Sequence, residues 1–138
     1  MPEVNVNYSA VLVCGIISMV LGALWYGPLF SKKWIAYMDF TPEQIETGKK
    51  KGMTTSYLVN FIGALVMAYV LSHIIDFAQA ETVSRGLQTG FWVWLGFVAT
   101  VSLGSVLWEG RPTGLYILNN AYQLLALLIN GAILAVWT

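Results

Sequence analysis

Charged residues are scarce in this sequence, and they are confined to a few short stretches. Asp, Glu, Lys and Arg make up 10% of the 138 residues, whereas a soluble domain draws about a quarter of its residues from these four types. Four runs contain none of them: residues 4–31, 52–75, 86–108 and 112–138. Each run is longer than the roughly 20 helical residues that cross a bilayer core. The sequence therefore predicts a four-span membrane protein and leaves no room for a soluble catalytic domain.

Other absences narrow the possible functions. Cys14 is the only cysteine, which excludes an internal disulfide and disfavours a cysteine-based metal site. Seven basic and seven acidic residues give no net charge, so nucleic acid is not an expected partner. The sequence has no nucleophile beside a plausible base, no paired carboxylates within a span, no histidine-rich metal set and no phosphate-binding glycine loop. We expect no enzymatic activity, no metal and no cofactor.

The four runs are interpreted as helices, because lipid cannot satisfy open backbone groups and four strands cannot close a barrel. The expected spans are about residues 7–26, 53–75, 87–108 and 115–137, within one transmembrane domain covering residues 1–138. The predicted fold class is an all-α, integral membrane four-helix bundle. The first run follows Glu3 without a preceding Lys or Arg, so it is expected to be a retained span and not a cleaved signal.

The long first connection is predicted to contain two short interfacial helices. Ser31 is suited to cap a helix in which Trp34, Ile35 and Met38 share one face. Thr41-Pro42-Glu43-Gln44 is a second capping signature, with a hydroxyl at the cap and proline at the first helical position.

Two span ends resemble each other. Residues 21–28 and 103–112 both contain Leu-Gly, then Leu-Trp, then Gly and Pro. The similarity is consistent with two parallel helical-hairpin repeats. It is equally consistent with the common tendency of helices leaving lipid to end at an aromatic residue followed by Gly and Pro.

Small residues recur at helical spacing and predict close contacts between helices, within the chain or between copies. They form three lines: Ser18 and Gly22 on the first span; Ser56, Asn60, Ala64, Ala68 and Ser72 on the second; and Gly96, Thr100 and Gly104 on the third.

The fourth span is the most polar. Asn119, Gln123 and Asn130 share one helix face, with Asn120 beside them. Asn60 is expected at a depth similar to that of Asn119. These amides are a candidate polar intramembrane pocket or interface; the alternative is that they only hydrogen-bond helices together.

Ionisable residues near the ends of the spans give two further candidates. His73 and Asp76 lie three residues apart on one helix face and could form a proton-sensitive pair, although an interfacial helix end explains them better, because no charged residue lies at the membrane centre. Glu109 and Arg111 flank Gly110 in a short connection, where they could fix a turn or contact lipid headgroups.

Several segments together resemble the domain of unknown function 1761 family of small four-span membrane proteins. They are residues 21–30 with Trp34, and residues 67–71, 94–100, 107–112, 119–122 and 131–134. Tyr122-Gln123 departs from the Tyr-His of the family. The resemblance implies a four-helix integral membrane protein without an assigned activity, and it carries over no catalytic or binding residue.

These features favour a non-enzymatic membrane protein that acts by helix association. The expected role is an accessory or structural subunit of a membrane complex, or a homo-oligomer, with the lipid bilayer and a protein or a second copy as partners. The alternative is a small homo-oligomeric permease or channel for a neutral or weakly polar solute, lined by the amides named above.

Orientation yields a first prediction. Six of the seven Lys and Arg residues lie in the first and third connections, and such connections tend to remain in the cytoplasm. We expect a multi-pass protein, of the cytoplasmic membrane if bacterial, with both termini outside. On intact cells, an impermeant thiol reagent should label a cysteine introduced at Glu81 and spare one introduced at Lys50. Ready labelling at Lys50 would contradict this orientation.

Overall fold

The computed structural model describes residues 3–38, 42–44, 46 and 54–137, and this part of the chain contains helices and no strand. Four helices are long and apolar enough to cross a membrane: Tyr8–Leu29, Thr54–Phe77, Val83–Leu107 and Thr113–Val136. We refer to them as the first to fourth spans. They confirm the predicted all-α, four-helix membrane fold.

Two spans contain a widened, π-helical segment. The first span is α-helical over Tyr8–Leu24 and π-helical over Trp25–Leu29. Pro28 provides no N–H, and Gly27 leaves the helical region with φ −98° and ψ −106°, so the helix kinks there. The third span is α-helical over Val83–Val93 and π-helical over Trp94–Ala99. It continues as two short α-helical segments, Thr100–Ser102 and Gly104–Leu107.

The third span starts four residues before the predicted residue 87. Thr82 is its N-cap, and the Thr82 side chain accepts a hydrogen bond of 3.2 Å from the backbone N–H of Arg85. The approximate prediction began the span after charged Arg85, whereas the capped helix extends beyond the apolar run. The first span is capped in the same way, with Asn7 accepting from the backbone N–H of Ala10 at 3.2 Å.

The second span ends in a Schellman motif. The backbone N–H of Ala80 donates to the carbonyl of Ile75, and that of Gln79 donates to the carbonyl of Asp76, both at 3.0 Å. Gln79 has the left-handed φ of 53° that this motif requires. Ala80 and Ile75 are both buried. The loop after the second span is therefore fixed to the core.

The first connection contains the helix Ser31–Met38, as expected from the cap and the apolar face. Residues 42–44 and 46 are also helical. The remainder of the second predicted interfacial helix, including its cap at Thr41, lies outside the described residues.

The fourth span lies at the centre of the packing. It contacts each of the other three spans, most extensively the third, while the first span also packs along the second. The shared core includes Leu71, Leu127 and Cys14. Many large apolar side chains lie on the outside of the helices, which is the arrangement expected where lipid surrounds a bundle.

Glycines permit the close approach of the third and fourth spans. A Cβ at Gly86 would overlap the backbone of Gly131, a Cβ at Gly131 would overlap that of Gly86, and a Cβ at Gly90 would overlap the backbone of Leu127. Backbone cannot rotate away as a side chain can, so these positions require glycine. This is the small-residue packing typical of membrane helices.

The two similar span ends occupy different environments. Trp25 is half-buried, and its indole N–H donates to the Leu118 carbonyl at 3.1 Å. Trp108 is 87% exposed. The first and third spans nevertheless both run antiparallel to the fourth, since contacts pair their beginnings with its end. Whether the two hairpins are repeats stays a prediction.

Two glycines of the third span provide a test of this packing. Gly90→Val should lower the free energy of unfolding by about 1–3 kcal/mol, because the added methyl groups force two backbones apart. Gly96→Val is the matched control, since nothing lies within 4 Å of a Cβ there. Thermal unfolding of monomeric protein in detergent measures both. Equal losses of stability would contradict the close contact at Gly90.

Candidate functional site

The amide face of the fourth span meets the first span through direct hydrogen bonds. The phenol of Tyr26 donates to Oδ1 of Asn119 at 2.6 Å, and the phenol of Tyr122 donates to the Ser18 carbonyl at 2.8 Å. The rings of Tyr26 and Tyr122 pack edge to face, with centroids 5.6 Å apart. This part of the face is therefore an interhelical contact.

Asn130 continues the same contact near the other end of the span. Its Nδ2 donates to Oγ of Ser18 at 3.1 Å, while its backbone carbonyl accepts a weak bond from the Cys14 thiol at 3.9 Å. The residue is 1% exposed, and its Oδ1 has no hydrogen-bond partner among the described residues. Only the Nδ2 end of the Asn130 amide is therefore hydrogen-bonded, and a buried amide oxygen without a partner costs free energy.

Asn120 faces the opposite neighbour, the third span. Its Oδ1 lies 2.9 Å from Oγ of Ser102, and its Nδ2 donates to the Tyr116 carbonyl at 2.9 Å. The phenol of Tyr116 in turn donates to the Ala99 carbonyl at 2.8 Å. Asn119 and Asn120 therefore bind different spans, as expected for adjacent residues on a helix.

Hydroxyl groups also bind carbonyls around the π-helical segment of the third span. Ser102 Oγ lies 2.7 Å from the Val98 carbonyl, and Thr100 Oγ1 donates to the Gly96 carbonyl at 2.7 Å. Such bonds help to satisfy backbone groups where a membrane helix departs from α geometry.

Two tryptophans join the first and third spans to the fourth. The Trp25 indole donates to the Leu118 carbonyl, as described above, and the Trp94 indole donates to the Asn120 carbonyl at 2.9 Å. Both acceptors are backbone atoms of the fourth span, two residues apart. The indoles therefore fix the first and third spans at the same height along it.

The remaining two amides lie apart from this network. Asn60 is exposed, and its Nδ2 contacts Sδ of Met19 at 3.4 Å, which is a weak acceptor. Gln123 is half-buried and makes no hydrogen bond with the described residues. The predicted amides thus bind different neighbours, and whether they also line a polar pocket stays a prediction.

His73 and Asp76 are not bonded to each other in the described part of the chain. Nδ1 of His73 lies 2.9 Å from the Tyr69 carbonyl, and its ring packs edge to face against Tyr69 and Phe77. Asp76 is exposed and lines a cavity at the same end of the bundle. Their role as a proton-sensitive pair stays a prediction.

Glu109 and Arg111 are both exposed, and the turn between them is fixed by the backbone. Gly110 has a φ of 67°, and the N–H of Arg111 donates to the Ser105 carbonyl at 3.0 Å. Whether the two side chains help to fix the turn or contact lipid headgroups stays a prediction. Among the residues that the structure describes, no group of three or more His, Cys, Asp or Glu could hold a metal ion.

Four long apolar helices in the described part of the chain define a multi-pass integral membrane protein. Within that class, a family model described as "Protein of unknown function (DUF1761)" matches residues 9–135. The chain belongs to this family, which confirms the resemblance. No curated protein and no solved structure matches the chain.

The sequence contained signals for some contacts that its interpretation missed. Gly86 and Gly90 have the small-residue spacing of helix contacts, but Gly86 lay outside the predicted third span. The aromatic side chains that donate hydrogen bonds between spans were also not identified from the sequence, and they are Trp25, Tyr26, Trp94, Tyr116 and Tyr122. A tyrosine or tryptophan in a span normally finds a hydrogen-bond partner when buried, but the sequence does not indicate which one.

The network predicts different effects for two amides of the fourth span. Asn119→Leu should destabilise the fold by roughly 1 kcal/mol, because the Tyr26 hydroxyl loses its acceptor. Gln123→Leu is the matched control and should cost less, since Gln123 has no described partner. Unfolding in detergent measures both variants. A larger loss for Gln123→Leu would contradict the assigned contacts.

Proposed function

We propose that this protein acts by helix association in the membrane, without catalytic chemistry of its own, as a homo-oligomer or as an accessory subunit of a larger membrane complex. The observation that carries the proposal is the uncovered face of the third span. Gly96, Thr100 and the neighbouring Phe97 and Val101 are exposed along it, Phe97 at 73% and Val101 at 74%.

The composition of this face supports association more than lipid contact alone. Gly96 and Thr100 lie one turn apart, and the Thr100 hydroxyl is satisfied by the Gly96 carbonyl. The Thr100 hydroxyl therefore needs no partner from outside its own helix. Without a hydrophobic force between helices in lipid, such small-residue surfaces favour association because backbones pack closely.

The uneven burial of the spans points to the same face. In the most apolar window of each span, 11% of the third span is buried, against 39% of the fourth. The third span packs mainly along the fourth, and nothing among the described residues lies within 4 Å of a Cβ at Gly96 on its exposed face. A second copy or a partner helix would bury that face.

The alternative of a permease lined by the amides receives less support. Asn119, Asn120 and Asn130 already bind groups of the same chain. Opening a pathway along them would break these bonds within the membrane, where replacement partners are scarce.

Purification in a mild detergent tests the proposal. We expect a stable homo-oligomer or a stoichiometric complex, measured by native mass spectrometry, and we expect Gly96→Leu to dissociate it. Gly63→Leu on the second span is the matched control, because it too has nothing within 4 Å of a Cβ. The control should leave the assembly intact.

Two results would contradict the proposal. A strictly monomeric particle without a partner would exclude association as the mode of action. An assembly that dissociates equally with Gly63→Leu and Gly96→Leu would exclude the third-span face as its contact.

A further inference from the structure

A cavity of about 360 Å³ opens at the end of the bundle where the first span begins and the second and fourth spans end. This volume lies within the range of small-molecule sites, about 300–1,000 Å³. The cavity lies apart from the amide contacts of the fourth span, and its wall comes from three separate parts of the chain. Its polar side chains are Asn5, Asn7, Ser72, Asp76, Gln79 and Glu81.

The walls of the cavity are held in place by hydrogen bonds to the bundle. Asn7 caps the first span through its Oδ1, and its Nδ2 donates to the Trp137 carbonyl at 3.4 Å. The opposite wall is the Schellman loop, which is anchored through buried Ala80. The cavity is therefore a preformed feature of the fold.

The charge of the wall has one sign. Asp76 and Glu81 are its charged members, and no Lys, Arg or His is among the residues that line it. Neither carboxylate makes an ion pair or a side-chain hydrogen bond with the described residues. A ligand that carries a positive charge would be attracted by both carboxylates.

An aromatic ring and apolar groups make up the rest of the wall. Trp137 lines the cavity together with Ile75, Phe77, Ala80 and Leu134. An indole attracts an organic cation through its π face and offers much less to a hydrated metal ion, which also loses hydration at apolar groups. Carboxylates beside tryptophan therefore favour an alkylammonium group.

We propose that this cavity binds an organic ammonium group, with Asp76 and Glu81 supplying the charge and Trp137 the aromatic face. The group could belong to a soluble amine or to the headgroup of a lipid, because the cavity lies at a helix end where both are accessible. The two sources share one chemistry, and the experiment below separates them.

Choline binding to the protein purified in a neutral maltoside detergent is the primary test. Calorimetry at constant ionic strength should show saturable binding, and dimethylbutanol, the uncharged carbon isostere of choline, should bind at least about tenfold more weakly. Asp76→Asn with Glu81→Gln should weaken choline binding by at least about tenfold. Both residues are exposed, so the amide replacements should preserve the fold, which thermal unfolding checks.

Two further variants separate the cavity from general charge effects. Glu109→Gln removes an exposed carboxylate at the other end of the bundle and should leave choline binding unchanged. Trp137→Leu retains both carboxylates and should weaken choline binding while reducing its preference over dimethylbutanol.

Nanodiscs identify the source of the ammonium group. If a lipid headgroup fills the cavity, then among discs with the same phosphatidylglycerol content, choline should bind more weakly when the remaining lipid is phosphatidylcholine than when it is an uncharged glycolipid. Equal affinity in the two discs assigns the site to a soluble amine. The proposal is overturned if choline shows no saturable binding, if dimethylbutanol binds equally well, or if the Asp76 and Glu81 variant binds as the unchanged protein does.

Discussion

The pairing of polar groups in a medium without water is the constraint on which this fold depends. Most of the side-chain hydrogen bonds that join two spans in the described part of the chain have the fourth span as one partner. Each unpaired group costs several kcal/mol in hydrocarbon, by order of magnitude. The fourth span therefore lies at the centre of the bundle because it carries polar groups that need hydrogen-bond partners. The first and third spans supply those partners.

The two sides of the fourth span are held to their neighbours in different ways, one mainly by close backbone approach and the other mainly by side-chain hydrogen bonds. Toward the third span, Gly86, Gly90 and Gly131 bring backbones together, while Asn120 and Trp94 add polar bonds nearer the other end. Toward the first span, tyrosines and asparagines make most of the polar contacts. Helices in lipid have no hydrophobic driving force for association, so close packing of small residues and interhelical hydrogen bonds hold them together.

The number and type of elements could be predicted because they depend on runs without charged residues, and these runs can be read directly from the sequence. The runs place the spans within a few residues, with the largest difference at Thr82, where a cap extends a helix beyond its apolar run. Partners could not be predicted in the same way. Helical spacing shows that Asn119 and Gln123 share a face, but it does not show that Tyr26 reaches only the first of them. The cavity wall joins residues from both ends of the chain and one loop, which only the fold brings together.

The central position of the fourth span has a consequence for biogenesis. Spans enter the membrane in chain order, so Trp25, Tyr26 and Trp94 reach the bilayer before Leu118, Asn119 and Asn120 do. The first and second spans can pack on each other at once, whereas the third has little to contact until the fourth is made. A chain stalled after the third span would present unpaired donors within the bilayer, which is a state that membrane quality control could recognise.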